Sequence, residues 1–169
     1  MGKVVSRDEL LLLRENWRRE GKTVVFTNGI FDLLHRGHLE LLNRAKEMGH
    51  VLVVGINSDA SARRNKGPNR PIISQEDRAF MLCNLIPVDF VIIFEEDTPY
   101  TLIGQLRPDV LVKGADYTVD KIVGSDIVLG YGGKVVPVEL VKGKSSTRII
   151  NSILARYNEK SGREQALGK

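Results

Sequence analysis

The chain has one cysteine, Cys83, in 169 residues. A single cysteine excludes an intramolecular disulfide and any cysteine-built metal cluster. Set in an apolar helical stretch, Cys83 reads as core filler. Aromatic residues are scarce, at 6%. None lies inside the two basic clusters, Arg63, Arg64, Lys66 and Arg70, then Lys142, Lys144 and Arg148. Nucleic-acid binders interleave such clusters with stacking rings. The net charge of +4 therefore fits small phosphorylated substrates better than nucleic acid. No apolar run approaches the roughly 18 residues that span a bilayer, and Met1 to Ser6 lack a signal peptide's apolar core. No membrane partner is expected, and a cytoplasmic location follows. A chain with 42% hydrophobic and 27% charged residues has an ordinary globular composition and enough length for one core. One domain is expected over residues 1–158, with an N-terminal helix within 1–21 and a frayed tail at 159–169.

Strand and helix signals alternate. Ser6 to Glu9 form a capping box, and a helix continues to Arg19 before Gly21. Trp17 is expected in the core. Strands are expected at Thr23–Thr27, Val51–Val54, Val88–Phe94, Val110–Val112 and Lys134–Val138. The apolar run Val51–Val54 suits a parallel strand buried on both faces. Helices are expected at Gly37–Met48, from Ser74 to about Leu85, after Pro99, at Ser125–Tyr131, and from Ser145 or Ser146 to about Asn158. Residues Arg63 to Ile73, with Gly67, Pro68 and Pro71, read as a mobile basic loop. Such alternation predicts a parallel sheet covered on both faces. Ligands in such folds bind beyond the carboxyl ends of the strands. The suspicious loops all follow strands, so they should converge on one edge.

The most informative segment runs from Thr27 to His38. It joins a strand to a helix and holds two of the three histidines, His35 and His38, on either side of Gly37. A helix start carries unpaired N–H groups and partial positive charge, so it favours anions. Glycine lets a phosphate approach the backbone, and imidazoles donate hydrogen bonds to its oxygens. A second such cradle is expected at Lys142–Arg148, where Ser145, Ser146 and Thr147 precede a helix beside Lys144 and Arg148. Plain N-capping by Ser145 or Ser146 is the bland alternative.

The segment Thr27–His38 resembles the HxGH signature of the nucleotidyltransferase superfamily. Lys144–Arg148 resembles the second signature of that superfamily, with Lys144 at its variable first position. TNGIFDLLHRGH, VGINSD, KGPNRPI, EDRAFML, RPDVLVKGADYT and GKSSTRII occur in the order and spacing of one branch and cover nearly the whole chain. That branch is similar to the D-glycero-β-D-manno-heptose 1-phosphate adenylyltransferases, the ADP-heptose synthase half of bacterial bifunctional heptose enzymes. The run Pro108–Tyr117 selects the branch. Ala115 stands where the family often has a second glycine.

The resemblance implies a Rossmann-like three-layer α/β sandwich with a five-stranded parallel sheet, here as a stand-alone transferase. It implies adenylyl transfer from ATP to a sugar 1-phosphate, with magnesium carried on the ATP phosphates and a homodimer as the assembly. His35 and His38 would stabilise the α-phosphoryl transition state, and Lys66 would close over the phosphates. Ser145, Ser146, Thr147 and Arg148 would hold the β- and γ-phosphates. Arg78 matches a family arginine near the phosphates, with a surface position as the alternative. Asn28, Gly29 and Phe31 line the first turn with Gly37. Lys113, Gly114 and Asp116 would lie near the adenine and ribose. Asp32 would bind substrate hydroxyls or hydrated magnesium, with a turn cap as the alternative. Asn57 and Asp59 resemble a strand-end polar pair that orders the site. No certain protein ligand to a metal is expected. Two rivals remain: a cytidylyltransferase acting on glycerol 3-phosphate or a similar phospho-alcohol, and a non-catalytic nucleotide-binding module on the same fold.

Overall fold

A computed structural model of the chain describes residues 1–114, 118–139 and 141–167, with side chains to residue 157. Six strands form one sheet: β1 (Lys3–Val4), β2 (Val24–Gly29), β3 (Val51–Asn57), β4 (Phe90–Phe94), β5 (Val110–Gly114) and β6 (Lys134–Val138). The spatial order is β1-β4-β3-β2-β5-β6, and every pairing is parallel. The expected five-stranded sheet is thus corrected to six. The extra strand is a two-residue edge, too short to carry a period of its own. It is fixed by backbone bonds from the Lys3 and Val5 N–H groups to Asp89 O and Val91 O.

Helices cover both faces. On one face α2 (Arg36–Lys46) and α4 (Gln75–Cys83) bury Leu42, Ala45 and Leu82 against Leu52, Val54 and Ile56 of β3. On the other, α1 (Arg7–Arg19), α5 (Tyr100–Leu106) and α6 (Ser125–Gly130) bury Leu10, Trp17, Leu102 and Leu106 against Val24, Phe26 and Val53. The alternation of β3 residues between the two cores follows from its period of two. All seven β3 residues are buried, as expected of a central parallel strand. Gly55 has a packing reason: a Cβ there would lie 2.8 Å from Phe26 Cζ.

Two local expectations change. The segment at Arg63 to Lys66 is no loop but the last turn of α3 (Asp59–Lys66), capped by Ser58, whose side chain accepts from Ser61 N. Its low apolar content hid it from the hydrophobic pattern, since only Ser61 and Ala62 are buried. The terminal helix α7 runs Ser146–Leu167, past the expected end near Asn158. No helix among the described residues is long and apolar enough to cross a membrane.

Candidate active site

The chain winds outward from β2 through β3 to β4, then returns to place β5 on the other side of β2. In an open parallel sheet that reversal leaves a crevice at the carboxyl ends of the two strands. Asn28 is the penultimate residue of β2 and Lys113 the penultimate residue of β5. Lys113 Nζ donates to the Asn28 carbonyl and to Asn28 Oδ1, both at 3.0 Å. Burial pushes the Lys113 ammonium down to about 8, and the nearby charge of Lys66 adds to the effect.

The HxGH turn follows Asn28. Phe31 holds a left-handed backbone, with φ of 51°, and its ring packs over Gly29, where a Cβ would lie 3.1 Å from the ring. The same ring leans on His38 at 5.1 Å between centroids. His35 caps α2 without a side-chain cap hydrogen bond, so the first-turn N–H groups are not covered by their own cap. The His35 and His38 rings stack at 3.8 Å, 19° from parallel. Gly37 makes room for them, since a Cβ there would lie 3.1 Å from the His35 ring. Among the described residues, both Nδ1 atoms are buried without a partner. Burial, then repulsion from His35, lowers His38 to about 4. Burial, then the charge of Lys144, lowers His35. At neutral pH both rings are uncharged hydrogen-bonding groups facing a basic wall.

That wall is the start of α7. Ser145 Oγ accepts from Arg148 N at 3.2 Å, the expected cap. Ser146 Oγ donates to Leu33 O at 3.2 Å, which ties α7 to the HxGH turn. Gly143 turns the chain with φ of 75° and leaves Arg148 Nη1 3.2 Å from where a Cβ would stand. A cleft of about 290 Å³ opens between His35, His38, Lys144 and the Ser145–Thr147 run, with Lys66 on its margin. A groove of about 320 Å³ continues along α7 past Arg148 and Arg156.

A further cleft of about 410 Å³ lies across Gly29, lined by Asn28, Asn57, Asn65, Lys66, Asp97 and Lys113. Lys66 and Ile30 line both this cleft and the histidine cleft. The structure therefore gathers His35, Gly37, His38, Lys66, Ser145, Ser146 and Thr147 around one space. Asn28, Gly29, Asn57 and Lys113 stand around its neighbour. Gly114 ends β5, and Asp116 lies outside the described residues.

Arg78 and Asp32, expected as contact residues, are taken up by protein partners, although Asp32 also lines the histidine cleft. Arg78 is fully buried. Its guanidinium donates to Ile73 O, Ile30 O and Asp59 Oδ1 at 3.0, 2.6 and 2.7 Å. It braces the walls of the site and faces neither phosphate cradle nor solvent. Asp59 is taken up by that pair. Asp32, 1% exposed, accepts from Arg70 Nε at 2.7 Å and from the Ile72 and Ile73 N–H groups. It anchors the segment after α3 to the HxGH turn, and its lone pairs are engaged by protein donors. A carboxylate so surrounded is poorly suited to magnesium or hydroxyls. Among the described residues, no group of three His, Cys, Asp or Glu is placed to hold a metal ion. Asn57 Nδ2 donates to Ser61 Oγ at 2.8 Å and so orders the start of α3.

Sequence reasoning missed Asn65, Arg70 and Asp97. Asp97 follows the carboxyl end of β4, so the rule that ligands gather at strand ends carried its signal.

Residues 26–152 match the cytidylyltransferase-like family. The bifunctional protein HldE of Syntrophotalea carbinolica is 54% identical over 157 residues, covering 93% of this chain and 32% of that protein. HldE of Paramagnetospirillum magneticum is 58% identical over 139 residues, covering 82% of this chain and 28% of that protein. The chain spans about a third of the length of these curated relatives. The crystal structure of the lipopolysaccharide core biosynthesis protein from Thermoplasma volcanium GSS1 superposes with a TM-score of 0.58 at 29% identity, covering 73% of this chain and 100% of that one. The family match begins inside β2 and ends inside α7, taking in both the HxGH turn and the Ser145–Thr147 run, and the chain belongs to the cytidylyltransferase-like family.

Proposed function

We propose that this chain transfers an adenylyl group from ATP to D-glycero-β-D-manno-heptose 1-phosphate, giving ADP-heptose and pyrophosphate for lipopolysaccharide core assembly. The observation that carries the reading is the pair of clefts that share Lys66. One is built for a triphosphate, from neutral imidazoles, a helix start and hydroxyls. The other is built for a smaller polar acceptor, from amides and lysines. Two phosphorylated substrates in these clefts would meet at Lys66. The similarity to HldE proteins and to a lipopolysaccharide core biosynthesis protein supports a sugar phosphate as acceptor.

In this reading a phosphate oxygen of the sugar attacks the α-phosphorus of ATP. The bond from that phosphorus to the bridging oxygen breaks, and pyrophosphate leaves with the electron pair. The attacking oxygen is ionised near neutral pH, so no strong base is required. Catalysis is positioning plus charge stabilisation. His35 and His38 donate to the nucleotide phosphates, and Lys66 draws the two anions together. Lys113, expected near the adenine, lines the other cleft with Asn28, and in this reading the two hold the acceptor phosphate instead. Ser145, Ser146, Thr147 and Arg148 hold the β- and γ-phosphates. The protein offers magnesium no cage of its own among the described residues, so the ion would arrive on the ATP phosphates. A cytoplasmic location belongs to this reading from the composition of the sequence, and a homodimer from the family resemblance.

A second reading is favoured by the family's own description: a cytidylyltransferase acting on a phospho-alcohol. The test is pyrophosphate release with magnesium, crossing ATP and CTP against the β-heptose phosphate, glycerol 3-phosphate and hexose 1-phosphates. Release with ATP and the heptose phosphate alone is expected. Release only with CTP transfers the reading to the second. No release with any pair leaves a binding module.

A further inference from the structure

The acceptor cleft holds one carboxylate among the described residues that line it, and that carboxylate is Asp97. Its surroundings are basic: Lys66, Lys113 and Lys121 share the lining. An open carboxylate at that place opposes phosphate binding, unlike Asp32 in the histidine cleft, whose side chain has no exposure and is taken up by protein donors. We infer that Asp97 is a specificity-determining residue that accepts hydrogen bonds from the hydroxyls of the sugar, while the lysines take the phosphate of the same molecule.

The backbone and side chain of Asp97 are both held from α3. Arg64 Nε donates to Asp97 Oδ1, and Arg64 Nη2 donates to Glu95 O at 2.6 Å. Asn65 Nδ2 donates to the Asp97 carbonyl at 2.9 Å. These two residues directly precede Lys66, so one helical turn sets both the phosphate-facing ammonium and the carboxylate. The Asp97 side chain stays 58% exposed while paired, which leaves acceptor capacity open toward the cleft. A carboxylate has two oxygens and about four acceptor sites, enough for a vicinal diol as well as one guanidinium bond. A compound bearing phosphate at one end and neutral hydroxyls at the other satisfies both walls. The chemical class selected is a polyhydroxylated monophosphate.

The inference rests on the proposed function for the identity of the cleft, and its test is separable from that reading. Calorimetric titration of heptose 1-phosphate, with inorganic phosphate in parallel, is made against the full chain in the presence of a non-reacting α,β-methylene ATP. Asp97→Asn is expected to weaken sugar phosphate binding by at least ~10-fold, the scale of one lost charge-assisted hydrogen bond. Inorganic phosphate binding should stay within about twofold or tighten, since a nearby negative charge is removed. Asp97→Glu should recover part of the loss, and the affinity for the ATP analogue should hold in both variants. Equal losses for sugar phosphate and inorganic phosphate would assign Asp97 to shape alone and overturn the inference. So would unchanged sugar phosphate affinity in Asp97→Asn, or no sugar phosphate binding by the unmodified chain. Adenylyl transfer is read separately as pyrophosphate release, so binding through Asp97 without turnover and turnover with Asp97→Asn binding unchanged are different results.

Discussion

The imidazoles of His35 and His38 lie face to face, 3.8 Å between centroids, which two charged rings could not do at low cost. Burial and mutual repulsion hold His38 at about 4. The unfolded chain titrates this group near 6.5. Between those values the unfolded state takes up a proton that the folded state refuses. Stability therefore falls as pH drops from about 6.5 through about 4 and recovers as pH rises. NMR titration of the His38 ring carbon should give a midpoint near 4 in the free protein, and a higher one with a bound triphosphate. A midpoint near 6.5 without ligand would contradict a neutral stacked pair.

Gly37 sets the same stack from behind. A methyl group there meets the His35 ring at 3.1 Å, so the ring must move. Gly37→Ala should lower kcat by about tenfold or more, in line with the cost of misplacing a catalytic group. Thermal stability should change little, because the ring lies at the edge of the cleft. Steady-state kinetics beside a melting curve checks both halves. Unchanged kcat would show that the stack tolerates displacement.

Arg78 distinguishes a brace from a phosphate contact. Its guanidinium joins Ile30, Ile73 and Asp59 with no exposure. Arg78→Met leaves those acceptors unpaired and should cost about 3–5 kcal/mol, the range for breaking a buried pair. Urea unfolding measures this directly. A direct phosphate role predicts the opposite pattern: near-normal stability and a large rise in the ATP Kd.

Lys113 and Lys66 are coupled across the junction of the two clefts. Burial and the charge of Lys66 hold Lys113 at about 8, below its ordinary value near 10.4. Between those values the unfolded chain keeps a proton that the folded chain has lost. Folding stability contributed by this group therefore rises with pH across that window. For function the sign reverses, since the charged form binds phosphate: acceptor kcat/KM should fall as pH rises past about 8. Lys66→Gln removes one cause of the shift and should move that alkaline limb to higher pH. A limb that stays in place would break the coupling.

Much of this architecture was legible in the chain. The apolar run of β3 and the alternation of strands and helices predicted a parallel sheet, and the glycine between two histidines marked the strand-to-helix turn where the two rings stack. The Ser145–Thr147 run marked the facing cradle. Three features were hidden for different physical reasons. The strand β1 is held by backbone bonds alone, which leave no side-chain pattern. The helix α3 is polar and short, so its cap at Ser58 was its only local signal. The roles of Asp32, Asp59 and Arg78 depend on partners far along the chain: Arg78 meets Ile30 and Asp32 meets Arg70. A charged residue near a phosphate motif looks the same in sequence whether it touches ligand or holds the wall.

Label transfer from α-phosphate-labelled ATP to the sugar phosphate tests the central claim most directly. With β-heptose 1-phosphate and magnesium, the label should appear in a nucleotide sugar with stoichiometric pyrophosphate. Loss of one transition-state donor typically costs about 10²–10³ in rate, and His38→Ala should slow the transfer on that scale. Label that stays in ATP, or that moves only when CTP replaces ATP, would contradict the account.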